Sequence, residues 1–234
     1  MFNADGDQFF KRILANWFLF TMFSIFSVVV QPKALAAPLA VCVVILTYWS
    51  VVCAFRTERF SQYATLRLFY TVALVPVMAS TLLLMVLHKD FSLSPVLAIS
   101  IGCIPLLVAG VSYFFMTFWN SPESSLVVHG ESVEVVEVPR KGNTALGGVA
   151  AVGGSLSFPL FQQYDNAYLF MVFVLVLVSL YMIISNRVNI CSLRTLKERE
   201  LREKCRFTFS NIDEIRKRRT TSLLGRILSV KVER

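Results

Sequence analysis

Tyr168-Leu169-Phe170-Met171-Val172-Phe173-Val174-Leu175-Val176-Leu177-Val178 lies inside a charge-free run from Asn166 to Asn186, and Arg187 ends that run. About 20 mostly apolar residues cross the hydrocarbon core of a bilayer as a helix. A Lys, Arg or Asp at the centre of such a helix costs about 2.5–3.5 kcal/mol on insertion. The segment therefore predicts a membrane span, and it sets the pattern to look for in the rest of the chain. Five more charge-free runs are long enough: Ile13 to Pro32, Ala34 to Phe55, Leu68 to Leu87, Phe91 to Pro122 and Gly142 to Tyr164. The expected fold is an all-α polytopic membrane protein with six spans near 13–32, 34–55, 68–87, 95–119, 144–162 and 166–186.

The whole chain agrees with that reading. Hydrophobic residues make up 56% of its 234 residues and charged ones only 16%. Soluble domains carry about 45–50% apolar and about 25% charged residues. The composition excludes a disordered chain, a coiled coil and a soluble nucleic-acid-binding domain. Charge is also unevenly placed. Arg187 to Arg234 holds 14 Lys/Arg and 6 Asp/Glu, which accounts for the entire net charge of +8. Nothing in the pI describes the first 186 residues, where the charges cancel.

Basic residues beside membrane helices stay in the cytoplasm. With six spans and the N-terminus inside, the inner segments carry Lys11 and Arg12, then Arg56, Arg59 and Arg67, then Arg140 and Lys141, and finally the tail. The outer loops carry only Lys33 and Lys89. Phe9, Phe10, Trp17, Tyr48, Trp49, Phe118, Trp119, Tyr164 and Tyr168 sit near run ends, as expected of an interfacial aromatic belt. A cleavable signal peptide would need an apolar core of about 7–15 residues. The first run is longer, and a second follows at once, so a retained span is expected. The fifth run is diluted by Gly147, Gly148, Gly153 and Gly154, and on hydropathy alone a re-entrant segment is its alternative. The charge bias favours crossing, which puts both termini in the cytoplasm, at the inner membrane if the source is bacterial.

Two segments face water. In the loop 120–141, Leu126 to Val138 alternates Val with Glu and polar residues, which predicts two short strands turning at His129-Gly130. An isolated hairpin is marginal in water, so it is expected to pack on the tail 187–234. The tail reads as a charged helix over Leu193 to Cys205, a short strand at Arg206 to Phe209, and a second helix opening near Ser210 and Asp213. Glu198 and Arg202, and Glu200 and Lys204, stand at the favourable helical spacing for ion pairs. Leu228 to Val232 reads as a closing strand. The result is a small mixed α/β cytoplasmic region.

Motifs that carry chemistry are sparse. The six charge-free runs hold no Asp, Glu, Lys or Arg, whereas intramembrane ionisable groups mark proton relays and carriers. Asn16 is the most polar candidate there, expected in an interhelical hydrogen bond or at the interface. His88 and His129 lack neighbouring metal ligands, and no phosphate-loop pattern occurs. Cys42, Cys53 and Cys103 lie in apolar runs; Cys191 is near enough to the membrane for lipidation, and otherwise is a plain thiol. No catalytic residue, cofactor or metal is expected, and the chain reads as a non-enzyme.

Two features point to assembly. Gly147, Ala151 and Ser155, and Ala150 and Gly154, repeat at the spacing that lets helix backbones approach closely, within one bundle or between copies. Pro76 and Pro105 are expected to kink their spans. Arg216-Lys217-Arg218-Arg219 is a basic cluster suited to anionic lipid or an acidic protein partner, with nucleic acid a weaker fit because no aromatic platform accompanies it. The functional expectation is a non-catalytic membrane anchor, sensor or assembly subunit docking a cytoplasmic protein through its tail, in a setting such as exclusion, immunity or phage defence. The alternative is a channel or carrier subunit with a path lined by the glycine-rich fifth run.

Overall fold

The computed structural model describes residues 6–30, 36–89, 91–118, 124–130, 132–136 and 167–221. The chain is mostly helical with one small sheet: α1 (Gly6–Val30), α2 (Ala36–Val51) extended by a π turn (Val52–Arg56), α3 (Phe60–Lys89), α4 (Pro95–Gly102), α5 (Ile104–Phe118), β1 (Leu126–His129), β2 (Ser132–Val135), α6 (Ala167–Ser185), α7 (Arg187–Glu203), β3 (Thr208–Phe209) and α8 (Ile212–Thr221). The fifth apolar run, with Gly147, Ala150, Ala151, Gly154 and Ser155, lies outside the described residues, as does the expected strand Leu228 to Val232.

Among the described residues, three helical stretches are long and apolar enough to cross a membrane: Phe60–His88, Val96–Phe118 and Tyr168–Ser185. A shorter apolar helix covers Ala40–Arg56. Their outward faces are apolar too. Val44, Leu107, Phe115 and Phe173 are all well exposed, and contiguous exposed apolar surface of this kind marks contact with a membrane or a partner. Several hydroxyls in the apolar helices are satisfied from within: those of Ser24, Thr47, Ser50, Thr71, Thr81 and Ser112 each donate to the carbonyl four residues earlier. A bilayer offers no water to do this. The buried Ser80 and Ser179 hydroxyls, by contrast, have no partner among the described residues.

α3 begins at Phe60, two turns before the expected Leu68, so Arg67 lies inside a helix rather than ahead of it. Its Nε is buried without a hydrogen-bond partner among the described residues. Pro76 sits within α3 without ending it. Pro105 does coincide with a break, because α4 stops at Gly102, Cys103 forms a turn, and α5 starts at Ile104. Gly102 packs so tightly on α3 that an added Cβ would lie 3.0 Å from Leu84 Cγ. α1 and α2 are joined by Trp17, whose Nε1–H donates to Thr47 Oγ1 at 2.8 Å, an interhelical bond one residue after Asn16.

The polar end carries the sheet, in the order β1-β2-β3. β1 and β2 pair antiparallel from Leu126↔Val135 to His129↔Ser132, with Gly130 turning at φ +60°, a backbone that glycine adopts without a Cβ penalty. Leu126 and Val133 face inward while Val127 and Glu134 face out, the alternation the sequence shows. β3 joins parallel to β2 through Ser132↔Thr208 and Val133↔Phe209, so the expected association of loop and tail is present. The expected charged helix begins earlier, at Arg187, directly after a break at Asn186 in the long α6–α7 helical path.

α7 runs across the ends of two apolar helices. Cys191 Sγ lies 3.5 Å from the Met116 carbonyl and Arg194 donates to the Thr117 carbonyl, both at the end of α5. Two turns further on, Glu200 meets Ser61 at the start of α3. β1 is tied to the same helix where the Ser125 N–H donates to Ser192 Oγ at 3.0 Å.

Aromatic rings lock this end together. Phe209 of β3 meets Phe9 of α1 and Phe60 and Tyr63 of α3 edge to face, with ring centroids 5.5, 5.4 and 5.5 Å away. Phe9, Phe60, Tyr63 and Phe209 are all buried. Phe9 is therefore a core residue here and not part of an interfacial belt. Because one ring holds three elements, Phe209→Ala is expected to cost about 3–5 kcal/mol, the range for emptying a buried aromatic site. Val127→Ala, on the outer sheet face, is expected to change stability by no more than about 0.5 kcal/mol. Thermal unfolding of the purified protein in detergent measures both.

Candidate functional site

Thr57, Glu58 and Arg59 are all that separates the π turn from α3, and the basic helix α8 docks on them. A helix end exposes carbonyls that have no intrahelical donor. Arg219, only 5% exposed, fills that need. Its Nε–H donates to the Ala54 carbonyl at 2.8 Å and its Nη2–H to the Thr57 carbonyl at 2.7 Å. The positive guanidinium also suits the negative end of a helix dipole. Burial lowers the Arg219 pKa while Glu58 opposes the shift; an arginine remains charged under such conditions.

Arg216, one turn earlier, grips Glu58 with two parallel bonds of 2.7 Å, from Nε to Oε1 and from Nη2 to Oε2. Fork-to-fork pairing of this kind is the strong form of an arginine–carboxylate contact. The hydrogen bond from Arg216 holds the Glu58 carboxyl below its ordinary pKa, against the opposing effect of burial. Ile215, the residue before Arg216, is fully buried.

The four residues of the expected basic cluster thus divide. Arg216 and Arg219 bind the chain's own α2–α3 connection. Lys217 is exposed, and Arg218, half-buried, pairs with Glu214 at 3.3 Å. A helix turns about 100° per residue, so four consecutive arginines and lysines cannot share one face.

A second charged surface lies along α7, and there the expected ion pairs are replaced. Glu198 pairs with Arg194 and Glu203 with Arg199, both at 2.6 Å, each carboxylate reaching back to the arginine four residues before it. Glu200 turns inward instead: Ser61 Oγ–H donates to its Oε2 at 2.7 Å and the Phe207 N–H to its Oε1 at 3.3 Å. Beside it the Phe60 N–H donates to the Phe207 carbonyl at 3.0 Å. An open cleft of about 460 Å³ lies here, lined by Arg59, Lys197, Lys204 and Arg206 among others.

The remaining candidates are dispersed. His129 lies 3.5 Å from Glu134 at the exposed tip of the hairpin, and His88 is at the opposite end of α3. Cys191 is buried, so acylation at that position would require α7 to leave α5. Among the described residues no group of three His, Cys, Asp or Glu side chains could hold a metal ion. No protein-family model, curated protein or solved structure matches this chain.

Sequence reading missed Glu58, whose role depends on a contact with residues far along the chain. It lies in the charged stretch between two apolar runs, which was the available signal. Two predictions follow from the geometry. Arg219→Met leaves the Ala54 and Thr57 carbonyls without their donor, and is expected to destabilise the protein by about 1.5–3 kcal/mol. Glu58 has a depressed folded pKa, so its contribution is complete above the ordinary glutamate value of about 4.3. It is lost as pH falls through the lower folded value. Melting temperature measured against pH should therefore fall more steeply for the native chain than for Glu58→Gln across that acid window.

Proposed function

We propose that this chain is a non-catalytic multi-pass membrane protein, with six spans and both termini in the cytosol, whose polar end is a preassembled platform for a soluble partner. The observation that carries this reading is the fastening of the C-terminal segment to the apolar bundle. Arg216 and Arg219 tie α8 to the α2–α3 connection, and Phe209 ties β3 to α1 and α3. A tail serving only as a positive-inside signal needs no such attachment, since charge near the membrane suffices for that. A rigid platform also lowers the ordering cost that a partner's binding must overcome.

Within this platform the exposed Lys217 of α8, with Arg218 beside it in its pair with Glu214, is the part that meets an acidic protein surface. Arg216 and Arg219 support them from beneath. The lipid bilayer is the second partner, along the apolar exterior. Anchoring, sensing or assembly within a larger system are the roles that such an arrangement serves.

Two measurements test the proposal in sequence. Cys205, half-buried beside α7, is expected to resist a membrane-impermeant maleimide in intact cells and to react once the membrane is opened. Reaction from outside would place the platform on the wrong face and end the proposal. Quantitative co-purification with the native chain and with Lys217→Glu/Arg218→Glu should then give a protein recovered with the first and lost with the second. That pair, remade from purified components, should bind at least about tenfold more weakly with the double variant, as expected for removal of charged contacts. A platform variant that keeps every interaction of the native chain would refute docking through α8.

A further inference from the structure

We propose that the cleft between the first turn of α3 and the C-terminal half of α7 is a binding site for a phosphate-bearing group. Four cations, Arg59, Lys197, Lys204 and Arg206, line it against a single carboxylate, Glu200. Both oxygens of that carboxylate accept hydrogen bonds, from Ser61 and from the Phe207 N–H, so it is held at the floor of the cleft, and its single negative charge is outnumbered by the four cations. The other carboxylates of α7 are also taken, Glu198 by Arg194 and Glu203 by Arg199. None of the four lining cations forms an ion pair among the described residues.

Like charges gathered around one space repel each other, and such a gathering is unfavourable unless an anion relieves it. Burial lowers the pKa of Lys197, with Glu200 opposing the shift, so this ammonium gains from an arriving anion. Two arginine forks and two lysine point charges suit the several oxygens of a phosphate.

The backbone supplies an independent observation. Lys204 ends α7 in the left-handed conformation, at φ 50° and ψ 29°. Glycine is the usual residue at that position because a Cβ is disfavoured there. A lysine held in this conformation places a cation in the cleft at a cost in stability, the pattern expected where a residue is kept for binding. The phosphate could belong to a lipid headgroup or to a soluble compound. Leu201, on the lip of the same cleft and 80% exposed, is positioned to meet an acyl chain.

The test uses the full chain purified in a non-ionic detergent. Isothermal titration is carried out with inorganic pyrophosphate and, separately, with short-chain phosphatidate. The native protein is expected to bind at least one of them. Lys197→Gln/Lys204→Gln should weaken that binding at least about tenfold, since each charged hydrogen bond lost is a large effect. Arg202→Gln, on the same helix but outside the cleft, should leave it within twofold, which separates a site from general attraction to a basic surface. Lys204→Gly keeps the fold testable: relief of the left-handed backbone should maintain or raise the melting temperature while binding falls.

Binding of pyrophosphate as well as phosphatidate identifies the phosphate alone as the determinant, and binding of phosphatidate alone identifies a lipid headgroup. Either result supports the site. No binding of either probe, or equal losses in the cleft variants and in Arg202→Gln, overturns it. The outcome is independent of partner docking, because Lys217 and Arg218 are unchanged in every variant.

Discussion

The short connection between α2 and α3 is the constraint on which the polar end is built. Three residues must reverse the chain between two apolar helices, and α2 reaches them through a π turn after which the carbonyls of Ala54 and Thr57 accept from Arg219. A buried helix end without donors is unstable, and the Thr57 hydroxyl is already occupied, donating to Gln62 Oε1 and accepting from the Arg59 N–H. The donor comes instead from a residue far along the chain. Once Arg219 is committed, α8 is fixed, Arg216 falls beside Glu58, and Ile215 is pressed into the core. The connection thus specifies the position of a segment with which it shares no sequence proximity.

The same logic sorts the charges of the tail. Basic residues exceed acidic ones there, so only some cations can find a carboxylate or carbonyl. Arg194 and Arg199 take the carboxylates of α7, and Arg216 takes Glu58. Arginines hold these fixed, often paired geometries, as their planar forks favour. Lysines 197 and 204 are left at the cleft. Which cations remain available is therefore a consequence of which ones the fold requires, and a simple count of basic residues could not predict it.

The legible part of the sequence was the part governed by periodicity and local chemistry. Tyr168 to Val178 announced an apolar helix by composition alone, and α6 spans it. The Val/Glu alternation with His129-Gly130 announced the hairpin, because strand period and turn chemistry are local. What could not be read depended on distant contacts. Phe9 resembles an interfacial aromatic in sequence, yet Phe209, two hundred residues later, draws it into the core. Arg67 bounds an apolar run in sequence, yet α3 starts at Phe60 and continues through it. Glu200 was expected to pair with Lys204 by spacing; Ser61 and the Phe207 N–H displaced that pairing, and no helical rule contains them.

That displaced pairing also explains why α7 has two working faces. Residues 197, 200, 201 and 204 follow the three- and four-residue steps that place side chains on one side of a helix, while Ile190, Leu193 and Leu196 are buried on the side facing the bundle. Had Glu200 remained on Lys204, the cleft would have been closed by its own ion pair and Ser61 left without an acceptor. Turning Glu200 inward satisfies Ser61 and the Phe207 N–H, anchors β3 to α3, and leaves the lysines open in a single change of partner. The attachment of the Phe207 segment and the openness of the cleft therefore both depend on where Glu200 is placed. An alteration at Glu200 would disturb both together, whereas an alteration at Lys197 reaches the cleft alone.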